Sequence, residues 1–195
     1  MRKELDEKLV NDFPIIFKDR HASMMSTCMC WGFECGDGWY NILDRACNLI
    51  VNHIRYKRND RVYVLLRNRA LERYNKYNDD KYLIWFAKYQ MGKVNQAFID
   101  KWLEHEIERV RKHNIVSVPE KIHKVVAIQV KEKYGTLRFY VYGGDDYTEG
   151  IVAMAEAMSS VTCEICGDIG KERNECGWYS TRCDKCFNKT QSEDV

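Results

Sequence analysis

Proline, glycine and long apolar runs are all scarce in this sequence of 195 residues. It contains two prolines and eleven glycines, while 45% of its residues are hydrophobic, a composition that argues against a low-complexity or disordered protein. No apolar run approaches the roughly 18 residues of a membrane-spanning helix. The first eight residues are mostly charged, so they lack the apolar stretch of a signal peptide. We therefore expect a soluble protein of the cytoplasm with no membrane partner.

An excess of charge of one sign is also missing. The chain has 31 Lys and Arg residues against 29 Asp and Glu residues, which gives a net charge of +2. The charge is nevertheless uneven, because residues 52–113 carry fifteen basic and eight acidic residues. This basic middle segment is suited to an anionic partner, although the chain as a whole is nearly neutral.

The motifs of the common enzyme classes are absent from the sequence. There is no P-loop, no dinucleotide-binding glycine fingerprint, no His-Glu-x-x-His and no Gly-x-Ser-x-Gly. The last histidine, His123, precedes all the cysteines of the carboxy-terminal end, so that end contains no histidine base of the kind found between the zinc knuckles of some nucleases. These absences favour a non-enzymatic function.

Cysteine, in contrast, is abundant, with nine residues. Two Cys-x-x-Cys pairs with sixteen residues between them provide Cys163, Cys166, Cys183 and Cys186. In a reducing compartment this spacing is typical of a tetrahedral Zn²⁺ site. Disulfides, free thiols and an iron–sulfur cluster are the alternatives. Four cysteine ligands leave no coordination position open, so we expect the zinc to be structural.

The remaining cysteines have no standard ligand spacing. Two interpretations remain open for Cys28, Cys30, Cys35 and Cys47. They bind a second metal ion, or they are buried or turn-lining residues. Cys176 lies between the two Cys-x-x-Cys pairs. It is interpreted as a packed core residue, with a spare thiol or a substitute ligand as alternatives.

Hydrophobic periodicity predicts helices in three regions. They lie near the amino terminus, directly after residue 38, and over 81–111, where Gly92 can divide the helix. Residues 62–66 fit either a strand or a helix, because short apolar runs do not distinguish the two. Three glycines within residues 32–38 predict that 28–39 form a tight loop.

Beyond Pro119 the hydrophobic period changes to two, which predicts a β-hairpin with its turn at Tyr134-Gly135. The residues expected to face inward are Val126, Ile128, Val130, Leu137, Phe139 and Val141. Asp146 and Glu149 then resemble a capping box. The inward residues of the helix that follows are expected to be Ile151, Met154, Ala155 and Met158.

These elements predict an α+β fold, with helices plus a β-hairpin and a carboxy-terminal four-cysteine zinc ribbon. Residues 1–160 are assigned to an α+β domain with a basic helical insertion at about 52–118. Residues 161–195 are assigned to the zinc-ribbon module.

Three segments of the sequence resemble a known family. They are the cysteine- and tryptophan-rich residues 28–39, the strand-turn-strand Gln129-Val130-Lys131-Glu132-Lys133-Tyr134-Gly135-Thr136-Leu137-Arg138-Phe139-Tyr140, and the zinc knuckles with Gly177-Trp178-Tyr179-Ser180-Thr181 between them. This combination is similar to small zinc-ribbon-containing accessory proteins of tailed bacteriophages. The resemblance covers the two ends of the chain, and the basic middle looks like a variable insertion. It implies origin and architecture, and it suggests a partner among host factors or host defence components.

Two groups of residues are candidates for binding. Arginines interleaved with tyrosines suit phosphates and bases, although a solvated helix face has the same pattern; the possible nucleic-acid contacts are Arg55, Arg58, Arg61, Arg67, Arg69 and Arg73. A second group is expected where the amino-terminal loop meets the hairpin, in a concave surface for an anionic ligand or a partner's acidic edge. Its residues are Trp31, Glu34, Asp37, Trp39, Lys133 and Arg138. Cross-strand pairing and helix capping are the alternative roles of its charged members.

These features lead to one functional expectation and two alternatives. We expect a non-enzymatic phage accessory protein with a structural zinc site, which binds a host macromolecule or defence component in the bacterial cytoplasm. One alternative is a nucleic-acid-binding zinc protein that uses the basic segment. The other is a sponge that sequesters an anionic nucleotide signal.

Overall fold

The computed structural model of the chain describes residues 1–91, 96–112 and 115–193. These residues form helices and strands together, which confirms the predicted α+β class. The chain divides into two compact units, unit 1 with residues 1–55 and 122–195, and unit 2 with residues 56–121. Within the described ranges, no helix has the length and apolarity needed to cross a membrane. Gly92, where the long helix was expected to divide, lies outside the described residues.

The helices and strands follow one another along the chain in the order helix, strand, three helices, two strands, helix, two strands, helix. The helices are α1 (Lys3–Asp12), α2 (Tyr40–Tyr77), α3 (Lys81–Met91), α4 (Gln96–Arg111), α5 (Asp146–Ser159) and α6 (Asp184–Glu193). The strands are β1 (Phe33–Glu34), β2 (Val126–Lys133), β3 (Thr136–Tyr142), β4 (Lys171–Glu175) and β5 (Trp178–Arg182). Helix α2 begins in unit 1 and continues into unit 2.

The core of unit 1 lies against one face of a three-stranded sheet. Strand β1 pairs with β2 in parallel, and β2 pairs with β3 in the antiparallel hairpin that the sequence predicts. Phe33, Val130 and Phe139 are buried on one face, where the ring of Phe17 meets that of Phe33 edge-on at 4.8 Å. The loop residues that precede α2 thus contribute a strand to the same sheet as the hairpin.

The inward face of β2 differs from the predicted one. The pairing with β3 shifts between Ala127 and Gln129, and a β-bulge of this kind reverses the alternation of side chains along a strand. Ala127 is therefore buried, whereas Ile128 is 42% exposed. The expectation that Ile128 faces the core is wrong for this reason. On the partner strand, Leu137 and Phe139 are buried as predicted.

Helix α5 begins one residue earlier than the predicted capping box. Asp145 is the N-cap, and its side chain accepts a hydrogen bond from Thr148 N at 3.2 Å. The same carboxylate lies 2.8 Å from His53 Nε2 on α2. Ile151 and Ala155 are buried as expected. The two methionines expected to face inward are exposed instead, Met154 by 62% and Met158 by 48%.

The pair of Asp145 and His53 makes the stability of unit 1 depend on pH. Burial acts to raise the pKa of Asp145, but the hydrogen bonds from His53 and Thr148 outweigh it and hold that pKa below its usual value. A carboxylate whose pKa is lowered by folding stabilises the protein at neutral pH, and this contribution disappears as the pH falls through the lowered pKa. We expect Asp145→Ala to reduce the free energy of unfolding by about 1 kcal/mol at neutral pH, and by progressively less below pH ~4.

Urea denaturation between pH 3 and 7, followed by circular dichroism, measures this effect. Asp145→Asn retains an N-cap but loses the charge, so it should be less destabilised than Asp145→Ala at neutral pH and should have a flatter pH profile than the wild type. Parallel profiles for the wild type and both variants would contradict the assignment.

Unit 2 has a separate core between its helices. Residues from α2, α3 and α4 form it together, namely Ala70, Leu71, Leu83, Phe86 and Val110. The chain that leaves α4 is fixed to α2 by Asn68, whose side chain donates to Val116 O at 2.6 Å and accepts from Val116 N at 3.2 Å. Residues 62–66, which fitted either a strand or a helix, are helical.

Candidate functional site

Four cysteine sulfurs converge in the carboxy-terminal part of unit 1. The Sγ atoms of Cys163, Cys166, Cys183 and Cys186 all lie within 4.8 Å of one another, and those of Cys166 and Cys183 are 3.6 Å apart. Metal–sulfur bonds of about 2.3 Å in a tetrahedron place sulfurs about 3.8 Å apart, whereas a disulfide requires about 2.05 Å. All nine cysteines are free thiols. The four converging residues therefore fit a metal site.

Two tight turns bring these sulfurs together. After α5, Cys163 and Cys166 flank a turn in which Gly167 N donates to Cys163 O at 2.9 Å. Gly167 has a φ of +83°, which glycine adopts without the steric cost of a side chain. Cys183 directly follows β5 and Cys186 lies in the first turn of α6, with its N–H 3.4 Å from Cys183 Sγ. Each Cys-x-x-Cys pair thus belongs to a turn that directs both sulfurs to one point.

The backbone around Cys163 favours its thiolate. Burial acts to raise the pKa of Cys163, but the backbone N–H groups of Cys183, Cys166 and Ile165 outweigh it and lower the pKa to about 7. Burial and the sulfurs of Cys183 and Cys163 instead raise the pKa of Cys186, and they outweigh the hydrogen bond with Cys166, which lowers it. Four adjacent thiolates repel one another without a cation between them, because like charges disfavour each other's ionised form. A bound cation would remove this repulsion.

The amino-terminal loop packs directly on the first cysteine turn. Gly36 N donates to Glu164 Oε1 at 2.9 Å, and Gly38 N donates to Glu164 O at 2.7 Å. A Cβ atom at Gly36 would overlap Glu164, and one at Gly38 would overlap the backbone oxygen of Cys163. Gly36 and Gly38 are therefore explained by close contact with the metal-site turn, whereas a Cβ atom at Gly32 would overlap Asp6 and Arg20.

Trp39 supports the same contact from the core. Its side chain is fully buried, and its Nε1–H donates to Thr162 O at 2.8 Å, next to Cys163. The prediction that Trp39 lines a concave binding surface is therefore wrong, because none of its side chain is accessible to a ligand. Trp31 is 64% exposed, so the two tryptophans of the loop lie in opposite environments.

The charged members of the predicted concave surface have local partners. Glu34 pairs in register with Lys131, which pairs with Arg138 on the next strand, so these charges form a row across the outer face of the sheet. Gln129 Nε2 donates to Glu34 Oε2 at 3.1 Å, and Arg138 donates to Thr136 Oγ1 at 2.8 Å. The amino-terminal loop and the hairpin are therefore in contact, but the contact is the pairing of β1 with β2 and not a concave surface.

The two remaining charges of that group are also accounted for. Asp37 accepts a hydrogen bond from Arg2 N at 2.7 Å and forms an ion pair with the Arg2 side chain. Lys133 is exposed and its Nζ lies 5.4 Å from the centre of the Tyr134 ring. Because Trp39 is buried and Asp37 is engaged at the amino terminus, the six residues do not form one binding surface.

The other cysteines do not gather around a metal. Among the described residues, only the four carboxy-terminal cysteines form a group with metal-ligand spacing. Cys35 and Cys47 are buried, and burial raises the pKa of both, that of Cys35 to about 12. Cys30 Sγ donates to Thr27 O at 3.1 Å. Cys176, interpreted as a core residue, is exposed at the β4–β5 turn.

The arginines of the basic segment differ in exposure. Arg67 is only 6% exposed, so it cannot contact a phosphate on the surface, and its prediction as a nucleic-acid contact is wrong. A helix turns about 100° per residue, which places Arg67 on the opposite side of α2 from Arg69. Arg61 is half-buried and donates to Pro119 O. The exposed members are Arg55, Arg58, Arg69 and Arg73.

An apolar groove in unit 1 was not anticipated from the sequence. It has a volume of about 650 Å³, is lined by α2 and α5, and reaches Gly167 of the metal-site turn. Leu49, Met154 and Met158 line it and are about half exposed. The sequence does contain a signal for it, because α5 has more apolar residues than one inward face requires, although Met154 and Met158 were predicted to lie in the core.

Comparisons with protein-family models, curated proteins and solved structures find no match to this chain.

Proposed function

We propose that this chain is a non-enzymatic binding protein with a structural Zn²⁺ site, of the phage-accessory type that the sequence resemblance implies. Four thiolate ligands in a tetrahedral arrangement favour zinc. With all positions occupied by cysteine, such a site offers no place for a substrate or an activated water. Its role is to hold the amino-terminal loop, α5 and the β4–β5 hairpin in one structure.

The single observation that carries the binding function is the apolar groove between α2 and α5. Apolar grooves bordered by polar residues are common sites of protein–protein or ligand binding. Methionine side chains are flexible and polarisable, and they are common on surfaces that accept apolar helices. Met154 and Met158 lie one turn apart on α5, opposite Leu49 of α2.

The charge around the groove indicates the chemistry of the occupant. Helix α5 carries Asp146, Glu149 and Glu156 and no basic residue. Asp146 and Glu149 are exposed, and Asp146 lines the groove. Arg45 of α2 also lines it, and this arginine is paired with Asp44 at 3.9 Å, so the unpaired charge beside the groove is the acidic charge of α5. Electrostatic complementarity then favours a partner with basic residues beside its apolar face. The proposed occupant is an amphipathic, basic helix of a host protein.

A labelled model peptide tests the groove directly. We expect a fluorescein-labelled Leu/Lys helical peptide of about five turns to bind saturably in fluorescence anisotropy. Met154→Glu should weaken this binding about tenfold or more, because it places a charge in the apolar contact. Met25→Glu is the matched control, since Met25 is 96% exposed and lies outside the groove.

The same pair of variants connects the groove to a natural partner. Affinity capture from host cells, followed by crosslinking and mass spectrometry, should identify a protein that crosslinks to α5 and is lost with Met154→Glu but kept with Met25→Glu. Equal binding of the peptide and of captured proteins by both variants would contradict the proposed function.

A further inference from the structure

A second concave site lies wholly within unit 2. It has a volume of about 440 Å³ and is lined by Arg69, Ala70, Arg73, Lys81, Tyr82 and Trp85. The first three residues come from α2 and the last three from the first turns of α3. Pockets for small ligands usually have volumes of about 300–1,000 Å³, so the site is large enough for one nucleotide-sized molecule.

The lining of this pocket is cationic, and among the described residues only one of its three basic side chains is paired with a carboxylate. Three of its six residues are basic and none is acidic. Lys81 Nζ lies 2.7 Å from Asp79, just outside the pocket. In the described part of the chain, Arg69 has neither a side-chain hydrogen bond nor an ion pair. Cations that converge in a concavity raise the local positive potential and attract an anion.

The aromatic residues give the pocket an ordered, flat wall. The Arg73 guanidinium lies 4.9 Å from the centre of the Tyr82 ring, and its NH1 donates to Tyr82 Oη at 3.1 Å. These contacts order the Arg73 side chain before a ligand binds. An arginine on a solvent-exposed helix face, without such contacts, would not be ordered in this way. Trp85 stacks on Tyr89 with 5.8 Å between ring centres and 23° between planes. It is half exposed, so an aromatic surface remains available to a ligand.

We propose that this pocket binds a nucleotide, with its phosphate held by Arg69, Arg73 and Lys81 and its base stacked on Trp85. Arginine pairs with phosphate through two parallel hydrogen bonds, and aromatic side chains stack on bases of any sequence. A simple anion would use the cations but not the aromatic wall, and an apolar ligand would leave three cations desolvated. A nucleotide uses both halves of the pocket. The site is independent of the groove in unit 1.

Equilibrium binding of three probes to the full chain tests the proposal. The probes are fluorescently labelled AMP, a labelled oligo(dA) single strand and unlabelled inorganic phosphate as a competitor. We expect micromolar binding of at least one labelled probe. Arg69→Glu with Arg73→Glu should weaken it by more than tenfold, and Trp85→Ala by about five- to a hundredfold, which is the usual contribution of one stacked base. Arg58→Glu with Arg55→Glu is the control of equal charge change, because both residues are exposed outside the pocket.

The outcomes separate the possible sources of the nucleotide. Equal affinity for AMP and the single strand, with a shallow salt dependence, assigns the site to free nucleotides. Preference for the single strand, with affinity that falls steeply with salt, assigns it to nucleic acid. No saturable binding of either labelled probe overturns the proposal. So does a Trp85→Ala variant that folds, as judged by circular dichroism, and binds as the wild type does, or a control pair that loses as much affinity as the pocket pair.

Discussion

Replacement of Cys163 and Cys183 together by serine is expected to remove zinc from the protein and to unfold the carboxy-terminal part of unit 1. The purified wild type should contain one zinc per chain, and the double variant none. The two residues belong to different turns of the site, so their loss leaves each turn with a single sulfur. Structural zinc sites contribute about 10–16 kcal/mol of binding free energy in zinc-finger peptides, which makes this the largest effect anticipated here.

Elemental analysis and hydrogen exchange measure the two parts of this expectation. The amides to monitor are those whose hydrogen bonds join the cysteine turn to its surroundings. Examples are Gly38 N–H, which donates to Glu164 O, and Cys163 N–H, which donates to Asp168 O, each with an N···O distance of 2.7 Å. Their exchange should accelerate more than tenfold when the metal is lost. If the double variant does not fold at all, removal of zinc from the wild type by a chelator gives the same readout.

Two single substitutions serve as controls for the metal site. Cys176→Ser and Cys28→Ser change exposed thiols outside the four-cysteine group, so both variants should keep the full zinc content. Wild-type protein without zinc, or a Cys163→Ser, Cys183→Ser variant that retains it, would contradict the zinc assignment. Loss of zinc in the controls would instead indicate that another cysteine takes part.

The parts of the structure that depend on local sequence could be predicted. The two Cys-x-x-Cys pairs are such a case, because each pair needs only one tight turn to direct its sulfurs. The hairpin was predictable from the alternation of apolar and polar residues along its strands, and α5 from the helical spacing of its apolar residues. The bulge between Ala127 and Gln129 was not, because one extra residue in a strand leaves no mark in composition yet reverses which side chains face inward.

The binding surfaces depend on contacts between distant segments, and here the sequence was a weaker guide. Arg67 and Arg69 have the same chemistry, but one is buried and the other exposed, since α3 and α4 cover only one side of α2. The pocket of unit 2 requires Trp85 to lie near Arg69, sixteen positions earlier in the chain. Residues 31, 34, 37 and 39 of the glycine-rich loop were predicted to belong to a binding surface, whereas Gly36 and Gly38 of this loop are required by close contact with the turn at Cys163 and Glu164.

The clearest contrast in the amino-terminal loop is between its two tryptophans, and their substitution should have opposite results. Trp39→Ala should lower the free energy of unfolding by about 3–5 kcal/mol, as is usual when a fully buried aromatic side chain is removed. Loss of the Nε1–H bond also leaves Thr162 O without that donor, which adds about 1 kcal/mol if the oxygen remains buried. Trp31→Ala should change stability by less than about 0.5 kcal/mol, because Trp31 is mostly exposed.

Thermal and urea denaturation of the two variants, compared with zinc affinity measured by competition with a chelator, tests this contrast. Trp39→Ala should lower the melting temperature by roughly 6–20 °C, given about 2–4 °C per kcal/mol for a chain of this length. It should also weaken zinc binding, because Trp39 holds the residue directly before Cys163. Trp39→Phe, which fills most of the space but cannot donate, should lie between the wild type and Trp39→Ala in both measurements. Equal destabilisation by Trp31→Ala and Trp39→Ala would show that both side chains lie in the same environment. That result would contradict the burial of Trp39, and the loop could then act as a recognition surface.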